Sequence, residues 1–169
     1  MKLLFEIDKK DYDPGGAVFR RPSSRGIIFR DGKIAVIYSR RDKYCKLPGG
    51  GIEEGEDEVT AMIREVREET GLIAKPETVR EFGYVHRIQK GKHEPVFIQD
   101  NYYYICDAED RQESPVLTEE EICEDFVPAF MELDEVIAIN EEYARRKNNT
   151  MIERELRVLK MIAENKGSL

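Results

Sequence analysis

Hydrophobic and polar positions divide the chain into short β-rich runs and three longer segments of helical period. Leu3–Ile7 reads as a first strand. Ser24–Phe29 and Ile34–Ser39 flank Asp31-Gly32, a dipeptide suited to a tight hairpin turn. Arg40–Lys46 is charged and reads as a connection, and Leu47-Pro48-Gly49-Gly50-Gly51 suits neither helix nor central strand, so a loop is expected there. Asp57 to Thr70 predicts a helix, with Asp57 as N-cap, Glu58 at the positive end of the dipole and Gly71 just past the C-terminus. Val79–Gln89 and Val96–Cys106 read as strands joined by Lys90-Gly91-Lys92. Asp107–Glu121 is polar, contains Pro115 and reads as a surface loop. Phe126–Leu133 is a further strand in which Pro128 marks an edge or a bulge. Asp134–Arg146 and Thr150–Asn165 are helical; in the second, Ile152, Leu156, Leu159 and Ala163 form a stripe that reads as core packing.

Strands, helix, strands, helix is not a regular βαβ repeat. The order predicts an α+β fold, an α/β/α sandwich with a mixed sheet between helices. The 169 residues suit one domain, 1–169, and neither a repeat nor a low-complexity linker divides them.

Composition narrows the function. Apolar residues make up 40% and charged residues 37%, as in a soluble globular chain. The net charge of −8 argues against a nucleic-acid backbone binder. It also means that a phosphate-rich substrate needs a local basic patch or bound cations. No apolar run approaches a membrane span, and the N-terminus turns charged too soon for a signal peptide, so a cytoplasmic protein is expected. Cys45, Cys106 and Cys123 fit no zinc spacing and no disulfide framework.

The chemistry concentrates in Gly50 to Leu72, GGIEEGEDEVTAMIREVREETGL. On a helical wheel with Glu65 at zero, Glu68 falls near about −60° and Glu69 near about +40°. The three carboxylates therefore share one arc, while Met62, Val66, Val59, Thr70 and Ile63 occupy the neighbouring one. Like charges at this spacing cost an isolated helix roughly 0.2–0.5 kcal/mol per pair. Bound cations would explain them, and all-oxygen ligation points to Mg²⁺, with Mn²⁺ as the other candidate. A Glu-rich helix alone is usually a solvated face, and a Gly-rich stretch alone is usually a turn. It is the joint spacing of Gly50, Glu56, Arg64, Glu65, Glu68, Glu69 and Gly71 that neither bland reading requires.

That spacing resembles the signature of the Nudix hydrolase family (MutT-like), G-x₅-E-x₇-R-E-U-x-E-E-x-G-U with U aliphatic. Val66 and Leu72 fill the aliphatic positions, so the signature is complete. The resemblance implies the Nudix fold and metal-assisted attack of water on the diphosphate bridge of a nucleoside diphosphate derivative or a nucleoside triphosphate. It implies metal ligation by Glu65, Glu68 and Glu69, with the Gly49 carbonyl as an additional ligand, and a framing role for an Arg64–Glu56 pair. Catalysis is accordingly expected from Glu56, Arg64, Glu65, Glu68 and Glu69. Substrate contacts are expected from Arg40, Arg41 and Lys46 and from the backbone of Gly50 and Gly51. Some members draw the general base from outside the signature, which leaves Glu113, Glu119, Glu120 and Glu121 open as candidates.

Residues beyond the signature do not select a substrate. The proline that ADP-ribose hydrolases commonly carry about sixteen residues downstream is absent, since Arg87 to Lys90 occupy that region. The tyrosine of dinucleoside polyphosphate hydrolases is absent too, and the coenzyme A pattern matches only loosely, with Leu47 in place of Phe. Tyr44, Tyr84, Phe97 and Tyr102–Tyr104 could stack a base, although strand alternation makes half of them core. A silent nucleotide sensor and a diphosphate isomerase using Cys45 are the rival readings. A homodimer is compatible with the family.

Overall fold

The computed structural model describes residues 1–165 and 167. In chain order the strands are β1 (Leu3–Asp8), β2 (Val18–Arg20), β3 (Ser23–Ile27), β4 (Phe29–Arg30), β5 (Lys33–Ser39), β6 (Tyr44–Lys46) and β7 (Gly49–Gly51). Helix α1 (Glu58–Thr70) follows, then β8 (Leu72–Ala74), β9 (Arg80–Gln89), β10 (Val96–Ile105) and β11 (Ala108–Gln112). The chain continues with α2 (Glu119–Cys123), β12 (Phe126–Met131), α3 (Leu133–Arg146) and α4 (Thr150–Asn165).

The largest sheet runs β1-β9-β10-β3-β7 and is mixed: β1 is parallel to β9, β9 antiparallel to β10, and β3 parallel to β10. A second, antiparallel sheet runs β12-β5-β4, with β6 also on β5. Two apolar cores lie on opposite faces of these sheets. Met62 and Val66 of α1 pack with Ile28, Leu72 and Tyr104 in one. Val136 of α3 and Val158, Leu159 and Ile162 of α4 pack with Ile27, Val36, Leu47 and Val85 in the other. The sheets are thus sandwiched between α1 and the α3–α4 pair, as the element order predicts.

Local signals hold where the chemistry is local. Asp57 caps α1 through the amides of Val59 and Thr60, and Gly71 ends it in the left-handed conformation. Pro128 sits in β12, at the edge of its sheet, where a missing N–H costs little.

Four expectations are corrected. Gly49–Gly51 is not a loop but a short edge strand, because its register against Arg25, Ser24 and Ser23 satisfies its backbone groups. Half of the expected Arg40–Lys46 connection is β6, paired with β5. The Asp107–Glu121 segment holds β11, paired with β8, and the start of α2, whose Thr118–Glu121 capping box is a local nucleating signal. In α4 the expected stripe packs through Ile152, Leu159 and Ala163, but Leu156 is only partly buried and joins no core cluster, while Arg154 and Glu155 are fully buried. Among the described residues, no helix is long and apolar enough to cross a membrane.

Candidate active site

A cleft of about 520 Å³ opens where α1, β3, β6, β7, α2 and α4 meet. Gly50 lies under the Glu65 carboxylate so closely that a Cβ there would stand 2.5 Å from Glu65 Cδ. The wheel arc becomes a wall: Glu65, Glu68 and Glu69 all face the cleft.

Arg64 organises this wall. Its guanidinium grips Glu56 with Nε on Oε1 at 2.9 Å and Nη2 on Oε2 at 2.8 Å. Nη1 donates to Glu65 at 2.9 Å and Glu68 at 3.2 Å, and Nη2 also reaches the Gly51 carbonyl at 3.0 Å. The fork therefore ties the 51–57 connection to the carboxylates of α1, a geometry that lysine cannot reproduce. The Arg64 hydrogen bonds hold the Glu56 carboxyl below its ordinary range, and the same pairing raises Arg64.

Glu69 is different in kind. It is buried, its Oε1 takes the Lys46 ammonium at 2.6 Å and its Oε2 takes the Gly49 N–H at 2.7 Å. Burial pushes its pKa up to about 7 despite the opposing pull of Lys46 and Gly49. Glu121 of α2 adjoins the same pair, 4.0 Å from Lys46 Nζ. Burial would raise Glu121, but the Thr118 amide and the Glu69 hydrogen bond outweigh it and leave it lowered.

Behind the cleft, Glu155 of α4 pins β7's approach. It accepts the Leu47 N–H at 2.9 Å, while Arg25 Nη1 donates to the carbonyls of Leu47 at 2.8 Å and Gly49 at 3.0 Å. The Gly49 amide is thereby held against Glu69.

The structure brings together Glu65, Glu68, Glu69, Arg64, Lys46, Gly49, Gly50 and Gly51, with Glu56 bonded behind Arg64. Arg40 and Arg41 are excluded: Arg41 is spent on Asp42, Glu124 and the Cys123 carbonyl, and Arg40 is exposed beyond the cleft. Of the four outlying glutamates, Glu120 and Glu121 line the cleft, and Glu113 instead binds Arg67 and Arg111 outside it. Tyr44 reaches the cleft. Tyr84, Tyr102 and Tyr104 line a separate groove, and Tyr103 is core. Arg21, Ser23, Arg25, Gln99, Phe126 and Met151 also line the cleft, and no sequence reading singled them out. Arg21 lies between β2 and β3, the others come from β3, β10, β12 and α4, and the six have no common spacing. Cys45 is buried away from the cleft, its thiol pushed up to about 12 by burial, which counts against a cysteine-based isomerase.

Whether this set suits a divalent cation depends on its donors. Seven carboxylates against four basic side chains line the cleft, and the donors are hard oxygens. Among the described residues no three acidic, His or Cys groups converge as they stand, because Arg64 and Lys46 hold the carboxylates. The donor chemistry fits a cation; the ion pairs must loosen to admit it.

A model of the NUDIX domain matches residues 20–154. An ADP-ribose pyrophosphatase of Methanocaldococcus jannaschii is 47% identical over 53 residues, which are 30% of this chain and 31% of that protein. Nudix hydrolase 2 of Arabidopsis thaliana is 27% identical over 104 residues, 58% of this chain and 37% of that one. The chain thus spans about a third of the length of these curated relatives. A MutT NUDIX hydrolase structure from Burkholderia pseudomallei superimposes with a TM-score of 0.53 at 23% identity, covering 69% of this chain and 85% of that one, a likeness of fold. A NUDIX hydrolase structure from Nitrosomonas europaea gives a TM-score of 0.54 at 20% identity, covering 73% of this chain and 79% of that one.

Proposed function

Since the chain belongs to the NUDIX domain family, we propose that it is a divalent-cation-dependent hydrolase, cleaving the diphosphate bridge of a nucleoside diphosphate derivative or a nucleoside triphosphate. The observation that carries this reading is the charge of the cleft. With seven carboxylates against four basic groups, it repels a diphosphate unless cations intervene.

Glu65, Glu68 and Glu69, with the carbonyl of Gly49, would hold Mg²⁺ or Mn²⁺. When bound, the cation supplies a more acidic water and neutralises charge on the phosphate oxygens. Arg64 orients Glu65 and Glu68 and anchors the 51–57 connection through Glu56 and Gly51. Lys46 and Arg21, both lining the cleft, offer positive charge to the phosphates. Water oxygen attacks one phosphorus, the bond to the bridging oxygen breaks, and two phosphate monoesters leave when the substrate is a diphosphate derivative. Of the candidate bases, Glu121 is best placed to take the proton of that water, since it adjoins Glu69 and is held ionised. Glu120 lines the same cleft. The relative named for ADP-ribose makes that compound the first to assay, although the downstream proline of such enzymes is absent.

The test is a screen of ADP-ribose, UDP-glucose, other nucleoside diphosphate derivatives and nucleoside triphosphates with Mg²⁺ and with Mn²⁺. Glu65→Gln and Glu121→Gln are run beside the parent. Turnover that needs the ion and falls at least about a hundredfold in Glu65→Gln is expected. Absence of turnover on every compound, or a Glu65→Gln protein as active as the parent, refutes the reading.

A further inference from the structure

Behind the cleft lies more positive charge than its partners neutralise. Arg25, Arg87 and Arg154 are each buried, and among the described residues Glu155 is the one carboxylate bonded to any of them. Neutral acceptors take some of the remaining donors. Arg87 Nη1 donates to the Thr150 hydroxyl at 3.1 Å, and Arg154 also donates to Asn101 Oδ1. The Nε atoms of Arg25 and Arg87 are buried without a hydrogen-bond partner. Buried guanidinium groups with so little compensation are costly.

Gln99 sits at the centre of this arrangement. It lies directly across from Arg87 in the β9–β10 ladder. Its Oε1 accepts Arg87 Nη2 at 2.6 Å and Arg154 Nη1 at 3.3 Å. Guanidinium groups only donate, so the amide cannot turn its nitrogen toward them. Among the described residues nothing accepts from Gln99 Nε2, yet the side chain lines the cleft. The neighbouring amide, Asn101, has no such freedom. Its Oδ1 takes Ser23 and Arg154, and its Nδ2 is spent on the carbonyls of Val85 and Gln99.

We infer that Gln99 determines specificity: its amide is locked by Arg87 and Arg154 as a pure donor facing the cleft, so the substrate must present a hydrogen-bond acceptor there. A keto, carboxyl or phosphoryl oxygen meets this requirement, and an amino group is rejected. The inference rests on the hydrolase reading and names a property of its substrate.

Gln99→Glu separates this role from a structural one. The new carboxylate keeps both guanidinium bonds and balances their charge, so the melting temperature rises. The same change replaces the donor in the cleft with an acceptor, so KM rises at least about tenfold while kcat stays within about threefold. Binding is read independently of turnover. The ¹⁵N side-chain amide signal of Gln99 is followed with Mg²⁺ while analogues of ADP-ribose, UDP-glucose and GTP, with methylene in place of the bridging oxygens so that they are not hydrolysed, are added in turn. It shifts with the compound that carries the acceptor, and comparing the three distinguishes a base oxygen from a phosphoryl one. An unmoved signal with all three compounds, an unchanged KM, or a lower melting temperature in Gln99→Glu overturns the inference. A parent that shifts the signal but hydrolyses nothing overturns the hydrolase reading alone.

Discussion

Gly49 and Gly50 adjoin in the chain, yet alanine at each should fail in a different way. Gly49 has φ +144°, a conformation that L side chains rarely adopt, and its added Cβ would press on the Ser24 carbonyl and stand 2.6 Å from Arg25 Cα. Those are backbone atoms of a paired strand, and they cannot yield without breaking the β3–β7 ladder. Backbone strain and overpacking together should cost about 3 kcal/mol or more. Gly50 has no positive φ, and its Cβ would meet only the tip of Glu65, at 2.5 Å from Cδ and from Oε1. Ordinary contact requires that carboxylate to retreat by about 1 Å. The side chain is flexible, so the fold should lose no more than about 1 kcal/mol. A displacement of that size in a catalytic carboxylate should lower kcat/KM by about a hundredfold. Urea unfolding of both variants, with Mg²⁺-supported turnover of Gly50→Ala, decides the matter. Similar unfolding midpoints for the two variants would refute the reasoning, as would parental turnover in Gly50→Ala.

Two further outcomes follow from the same geometry. Burial raises the folded pKa of Glu69 from its ordinary 4.5 to about 7, so the folded state binds more protons than the unfolded state between those values. Stability should therefore fall as pH rises from about 4.5 to about 7 and level off above. Denaturant titrations in EDTA should show that slope in the parent and its loss in Glu69→Gln; a parent whose stability rises over that interval sinks the account. For the substrate contacts, Arg21→Ala should raise KM about tenfold while Arg40→Ala leaves it within twofold, because Arg21 lines the cleft beside Gly51 and Arg40 does not. Steady-state kinetics on the two variants distinguish this from a clamp built on the basic run before the glycines.

What the sequence alone determined is what depends on near neighbours. Asp57 and Gly71 bound α1 because caps act within one turn. The helical period put Glu65, Glu68 and Glu69 on one arc. Glu56 is eight residues from Arg64, across a short connection, and their pairing is the one the family resemblance implied. Short range also misled. Three consecutive glycines have no strand propensity, yet β7 forms because Ser23–Arg25 offers a partner ladder. The basic run at Arg40–Lys46 looked uniform, but alternation on β6 and capture of Arg41 by Asp42 and Glu124 left Lys46 alone in the cleft. The tertiary structure decided everything that rests on contact between distant segments. It chose Glu120 and Glu121 over Glu113 by folding α2 beside Lys46. It buried Arg154 and Glu155 on a helix whose charges looked solvated, because Tyr103 and Leu47 donate to Glu155, Arg25 pairs with it, and Glu155, Gln99 and Asn101 accept from Arg154. It also turned Gln99, an ordinary strand residue by sequence, into an oriented donor. Those partners lie 12 and 55 positions away, and no local pattern brings them together.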